Sequence, residues 1–338
     1  MGRLAAAIAA TLVVVAMAPR TAGAATLNWV GDVAVSTQAG VPPDHGRGLF
    51  AGVEPQLRGA DFTLGNLEGT LGAGGSSKCA RLGGSCFAFQ APAWFATTLH
   101  RAGFDLMNMA NNHSHDYGRS GILATVATLR GAHLGQTGLR GEITVRRVAG
   151  TRIAFLGFAP YPWTSDLLDI PAARQLVRRA RRRARVVVVI IHAGAEGAGA
   201  LHTPRGTEFA FGENRGDARR FAHAVVDAGA TLVLGSGPHV IRGLDCYRHR
   251  LIAYSLGDFV GYRTLAIGGV LSLSAILHVT LSNGRVVSAR WRPVTLVAPG
   301  VPRRDRSGAS IRLVARLSRE DFGRSACHIS PAGAIRTH

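Results

Sequence analysis

Apolar residues in this chain come in short unbroken runs that stop at a polar residue able to do chemistry. "TLNWVGD" stops at Asp32, "DFTLGNLEG" runs into Glu68, and "FDLMNMANNH" ends at His113. "RVVVVIIHAGAE" carries His192 and Glu196, "TLVLGSGPHV" carries His239, and "RLIAYSLGDFV" carries Asp258. Runs this short, rich in Val, Ile and Phe and bounded by turn residues, read as buried strands, as does "RIAFLGFAP". Between them lie segments with helical apolar spacing: "APAWFATTLHRAG", "GILATVATLRGA" and "DARRFAHAVVDAGA". The first has Pro92 near its start and Gly103 past its end, the usual asymmetry of a helix. Strands alternating with helices predict an α/β architecture with mixed sheets.

Beyond residue 262 the pattern changes. "GGVLSLSAILHVTLSNGRVVSARWRPVTLV" predicts a hairpin turning at "SNG". After Ala298 the chain is rich in Pro, Arg and Ser, with a short helix expected in "GASIRLVARLSRE" and an end that frays unless Cys327 tethers it. Residues 37–59 read as a loop and short helix near the strand ends. The run "RQLVRRARRRAR", Arg174 to Arg185, is either a solvated helix face or a patch that binds a polymer.

The N-terminus sets the compartment. Arg3 precedes an apolar run from Leu4 to Met17, followed by small residues at Ala22 and Ala24. That is the layout of a cleaved signal peptide over residues 1–24, with an uncleaved anchor as the alternative; the run is shorter than the roughly 20 residues that span a bilayer. An exported, extracytoplasmic protein is expected. The four cysteines agree with export and allow three pairings. The short polar loop between Cys79 and Cys86 favours 79–86 together with 246–327; neither spacing suits a structural zinc. The net charge is +19, of which Arg3 and Arg20 leave with a signal peptide, and Lys78 is the single lysine. Genome composition produces such an arginine bias, and so does selection for a polyanionic partner. The basic residues are not interleaved with aromatics that would stack bases, which disfavours nucleic acid.

In open α/β sheets ligands gather beyond the carboxyl ends of the strands. The loop "NMANNHSHDYG" sits at such an end. A turn needs one Asn and one Asp, and has no use for two histidines as well. At these residues the chain resembles a known family. "GDVAV", "NLEGTL", "MANNHSHDYGRSGILAT", "IIHAGAE", "GPHV" and "LIAYSLGDF" follow one another as in the CapA family of capsule-synthesis and poly-gamma-glutamate-biosynthesis proteins, relatives of the calcineurin-like metallophosphoesterases. The resemblance covers roughly residues 26–262, and the Cys79–Cys86 loop also looks like one in exported relatives.

The resemblance implies a four-layer α/β/β/α sandwich with two mixed sheets, and a CapA-like metallophosphatase domain over 25–298 with a partly ordered extension over 299–338. It also implies a site for one or two divalent ions: Mn, Fe, Zn or Mg. Asp32 and His239 would bind the first; Glu68 would bridge; Asn112 and His192 would bind the second. His113 would stay off the metals, placed to protonate the leaving group or stabilise developing charge, and Asp116 would orient the loop or an imidazole. Glu196 would orient a ligand or touch substrate, and His115 is an additional imidazole in the loop. Two departures stand out. Ala34 fills a position where metallophosphoesterases carry His, and Gly237 stands where relatives show the first His of His-Pro-His-Val. Asp258 occupies a place where relatives often have Asn. The expected function is metal-dependent hydrolysis of a phosphoester or polymer amide bond in envelope-polymer metabolism, with an anionic poly-gamma-glutamate-like polymer or a phosphoester as substrate and other capsule-synthesis proteins as partners. The alternative is a non-catalytic accessory protein that binds or exports such a polymer.

Overall fold

A computed structural model describes residues 24–82 and 86–337. The signal peptide expected over residues 1–24 lies, apart from Ala24, outside the described residues. Strands β1 (Ala25–Val35), β2 (Phe62–Leu67), β3 (Leu106–Asn108) and β4 (Gly135–Thr137) lie side by side and parallel in a first sheet. Helices α1 (Trp94–Ala102) and α2 (Gly118–Gly131) cover its outer face. Strands β5 (Thr144–Val148), β6 (Thr151–Ala159), β7 (Val186–His192), β8 (Leu232–Ser236) and β9 (Leu251–Ala253) form a second sheet, parallel except for β5. Its outer face carries α3 (Ile170–Arg181) and α4 (Ala218–Asp227), capped by Asp169 and Asp217, whose carboxylates accept from the amides of Ala172 and Arg220.

The chain then returns to the first sheet. Strand β10 (Asp258–Tyr262) pairs in parallel with the second half of β1, while β11 (Leu273–Ser282) pairs antiparallel with its first half. Strand β12 (Arg285–Val297) completes the hairpin. The turn between β11 and β12 holds Asn283 at φ +52° and Gly284 at φ +76°, the left-handed pair that a tight hairpin needs. Strand β13 (Val301–Arg304), helix α5 (Ala309–Phe322), and strands β14 (His328–Ile329) and β15 (Ala334–Arg336) follow. The result is the expected α/β/β/α arrangement with two mixed sheets.

The sheets face each other across one core. Strand β7 shows why its sequence has no polar alternation. Val186, Val188 and Ile190 point into the space between the sheets, and Val187, Val189 and Ile191 point at α3 and α4. A strand buried on both faces must be apolar throughout, and each such side chain contributes roughly 1.5–3 kcal/mol. Trp29 of β1 reaches across the core, where its indole N–H donates to the Gly235 carbonyl at 3.3 Å. Helix α5 adds Ile311, Leu313, Val314 and Leu317 to the same core. Beyond it, Cys327 is joined to Cys246, and Cys79 to Cys86. The 246–327 bridge closes a loop of 81 residues and ties the last two strands to the second sheet.

Two outcomes follow. Replacing Cys246 and Cys327 together by Ala lowers stability by about 2–4 kcal/mol in denaturant melts, because the unfolded chain regains the freedom of a long loop. The second concerns His278, which donates to Asn28 Oδ1 at 2.9 Å and faces Arg290 across the sheet. Burial, then Arg292 and Arg290, pull its pKa down to about 4. Above about pH 6.5 the ring is neutral in both folded and unfolded chains and has no effect on stability. As pH falls from there toward 4, the unfolded chain takes up a proton that the folded chain refuses, and stability is lost. Thermal melts at pH 7 and 4.5 should therefore show a smaller loss in His278→Gln than in the wild type; equal losses contradict the assignment.

Candidate metal centre

The site is built on one row of side chains across the first sheet. In register, Asp258 of β10, Asp32 of β1, Asn66 of β2 and Asn108 of β3 stand side by side. All are buried at the carboxyl end of the sheet. Asn66 organises the row: its amide N–H donates to Asp32 Oδ1 at 2.8 Å and to Glu68 Oε2. Its carbonyl accepts from Asn108 at 2.8 Å and from Asn111 at 3.1 Å. The second sheet meets this row with His192, the last residue of β7, whose Nδ1 lies 3.6 Å from Glu68 and 4.0 Å from Asp32. Ser236, its neighbour on β8, holds the same nitrogen at 3.1 Å. His239 comes from the loop after β8, with Nδ1 at 2.7 Å from Asp258 and 3.4 Å from Asp32.

Two groups of three can each hold a cation: Asp32, His239 and Asp258, and Asp32, Glu68 and His192. Asp32 is the carboxylate common to both, where the resemblance implies Glu68. Its place in the middle of the row puts one oxygen toward each side. Asp258 joins the first group because β10 lies directly against β1, a pairing that no sequence spacing announces.

The electrostatics are those of a site short of positive charge. Burial and the nearby Asp32 push Glu68 well above the usual carboxylate range. Burial raises Asp258 to about 6, against the pull of His239. Burial also opposes ionised Asp32, but hydrogen bonding and charge from His239 outweigh it and hold Asp32 low. His239 is driven down by burial and up by Asp258 and Asp32, which win, so it is held well above the usual histidine value. Burial takes His192 well below that value, leaving a neutral ring. Neutral imidazole and carboxylate oxygens are the donor set that a divalent ion takes.

Orphaned atoms test the fit. Among the described residues, Glu68 Oε1, Asn112 Oδ1 and His192 Nε2 are buried without a hydrogen-bond partner. A buried polar atom left unpaired costs about 1–3 kcal/mol; ten such atoms occur among the described residues, and these three are on residues with metal-ligating chemistry. They belong to the three residues expected at the second ion, and the donor set fits a divalent metal. Gly237 borders the same place. Its amide donates to Asp32 at 3.3 Å, and a Cβ built on it would lie 3.3 Å from His192 Nε2. Its φ of +112° disfavours any side chain, so a histidine there would need a different backbone as well as a different residue.

The loop 108–118 divides its labour. Asn111 donates to the Leu67 carbonyl at 2.8 Å and accepts from the His113 amide, holding the turn against β2. His113 stacks on Phe89, with Nδ1 held 2.8 Å from Asp116. Burial lowers the His113 pKa, with Asp116 opposing. Asp116 is fixed in turn by Lys78 and the Phe89 amide, both at 2.7 Å. His115 is in neither ion group; it stacks on Trp163. Glu196 pairs with Arg215 and lies 3.8 Å from His239 Nε2. Asn66 and Arg215 escape sequence reasoning. The one available signal for Asn66 is its spacing two residues before Glu68, which puts both on one face of a strand. Arg215 is hidden among many arginines.

The chain belongs to the bacterial capsule synthesis protein PGA_cap family, whose model matches residues 26–263. It is 28% identical over 235 residues to the capsule biosynthesis protein CapA of Bacillus anthracis, covering 63% of this chain and 53% of that protein. It is likewise 28% identical over 230 residues to the PGA biosynthesis protein CapA of Bacillus subtilis, covering 63% and 56%. A polyglutamine synthesis accessory protein of Mycobacterium tuberculosis is 26% identical over 219 residues, covering 55% and 54%. The chain thus matches about half the length of these relatives. Among solved structures, a Staphylococcus aureus protein described as a 5′-nucleotidase in complex with alpha-ketoglutarate aligns with a TM-score of 0.46 and 14% identity, over 87% of this chain and 58% of that one.

Because Asn66 orients two candidate ligands at once, Asn66→Ala should lower Mn affinity by about 10–100-fold in calorimetric titration while the protein stays folded. Unchanged affinity would remove Asn66 from the site.

Proposed function

We propose that this is an exported protein of capsule or poly-glutamate-type polymer metabolism that hydrolyses an anionic substrate, a phosphoester or a polymer amide bond, with a divalent metal. The observation that carries the reading is the set of three buried unpaired atoms on Glu68, Asn112 and His192, beside a carboxylate row that Asn66 holds in place. Asp32, His239 and Asp258 would hold one ion; Asp32, Glu68, His192 and Asn112 would hold a second. Metal bound there supplies Lewis-acid polarisation and a nucleophile at neutral pH. His113, with Nδ1 fixed by Asp116, keeps Nε2 for the proton that the leaving group takes. Lys78 holds Asp116 from behind, so the ring stays oriented. The two disulfides fit an oxidising compartment, and among the described residues no helix is long and apolar enough to cross a membrane.

Gly237 favours a second reading. It removes an imidazole that the resemblance implies at the second ion, which suits an accessory protein that holds or passes on an anionic polymer without cutting it. The two readings separate cleanly. Turnover of a generic phosphomonoester, phosphodiester or polyglutamate substrate with added Mn should fall at least about 100-fold in Asp32→Ala and in His113→Ala. Turnover unchanged in both variants, or none in the wild type alongside polymer binding that survives both substitutions, leaves only the accessory reading.

A further inference from the structure

Three neighbouring or near-neighbouring parallel strands of the second sheet, among them β7 with His192 at its far end, begin at arginine. Arg152 is the second residue of β6, Arg185 directly precedes β7, and Arg250 directly precedes β9. The end of α3 brings Arg182 and Arg183 to the same place, and the β11–β12 turn brings Arg285. An open cavity of about 790 Å³ lies there, lined by Arg147, Arg152, Arg181, Arg182, Arg183 and Arg185 and by no acid, with Arg250 and Arg285 close by. Among the described residues no ion pair reaches any of these side chains, although seven join a Lys or Arg to a carboxylate elsewhere in the fold. Mutual repulsion is felt: after burial, Arg285 and Arg181 both lower the pKa of Arg250. At this end of the first sheet Asp61 is engaged by Thr26 and Asp105 by the Thr63 amide. Strand β7, with seven residues, separates this pole from His192 by about 20 Å.

The chain enters at the same pole. Ala25 pairs with Leu281, one residue before the turn that carries Asn283 and Gly284. In sequence, seven residues separate Ala25 from Met17, the last of the apolar run that starts at Leu4. Seven residues reach at most about 25 Å, so whenever that run lies in a bilayer, the arginine pole is the face brought against it.

We propose that this pole is a docking face for an anionic lipid surface, with lipid phosphates as the ligands of its guanidinium groups. This goes beyond the proposed hydrolysis and does not depend on it. Guanidinium forks match phosphate oxygens in pairs, and a polybasic face supplies the second signal that a single short apolar segment needs for stable attachment. Docked this way, the protein turns its metal centre outward from the membrane, toward polymer.

The test compares co-sedimentation of the protein, recovered from the cell envelope with whatever N-terminus it carries there, with two kinds of vesicle: 30% phosphatidylglycerol in phosphatidylcholine, and phosphatidylcholine alone. An apolar segment contributes equally to both, so the ratio of the two partition coefficients isolates the pole. At 50 mM NaCl the ratio should be at least about tenfold and fall to within about twofold of one at 500 mM, since each basic residue near an anionic surface is worth roughly fivefold and salt screens it. Replacing Arg152, Arg182, Arg183 and Arg185 together by Gln should cut the ratio at least about fivefold, and replacing the same four by Lys should keep most of it. These side chains are exposed, so folding is checked simply by melting each variant. A wild-type ratio near one overturns the proposal, and so does a ratio that the Gln variant leaves unchanged. If the wild type ignores the vesicles but holds soluble poly-glutamate through the same arginines, the pole serves a polymer and the lipid assignment is wrong. Loss of turnover in Asp32→Ala has no bearing on any of these outcomes.

Discussion

Everything at the site hangs on one amide. Asn66 stands between Asp32 and Asn108 in the middle of the first sheet and ties Asp32 and Glu68 to a single nitrogen. Two buried carboxylates this close repel each other, and burial raises the cost of ionising either. A neutral donor between them fixes their geometry without satisfying their charge. The remaining demand for positive charge falls on His239, held between Asp32 and Asp258, and on whatever cation the unpaired atoms of Glu68, Asn112 and His192 accept. The loop 108–118 is pinned to the same amide through Asn111, so His113 is positioned by the row that positions the ligands.

The fold gives this arrangement a direction. Parallel strands place all their carboxyl ends together and all their starts together. In this chain one end gathers carboxylates and imidazoles, and the other gathers unpaired arginines. The apolar body between them, with Trp29 reaching from one sheet to the other, keeps the two fields apart. A high net charge spread at random would do neither job.

Much of the fold is legible in the chain itself. Each run carrying Asp32, Glu68, His113, His192 or His239 contains a strand, with Asp32 inside it, His192 at its last residue and Glu68, His113 and His239 one to five residues beyond, and the hairpin turns at Asn283 and Gly284. The reason is local: a strand buried on both faces must be apolar for its whole length, and a tight turn needs residues that tolerate positive φ. The placement of Asp258 against Asp32, the pivotal place of Asn66, the pairing of Arg215 with Glu196, and the backbone at Gly237 were not readable. Each depends on which strands become neighbours and in what register. Spacing along the chain carries no record of that when the partners are more than 200 residues apart, as Asp32 and Asp258 are.

The sequence by itself determined the layer class, the family, and the chemical kinds of residue that stand where strands meet solvent, because burial and turn geometry act on near neighbours in the chain. Only the tertiary structure decided that Asp32 is common to both ion groups, that His115 turns away to stack on Trp163, and that the arginines collect at the pole where β1 begins. Those outcomes depend on sheet order and strand register, which are settled by packing the whole core at once.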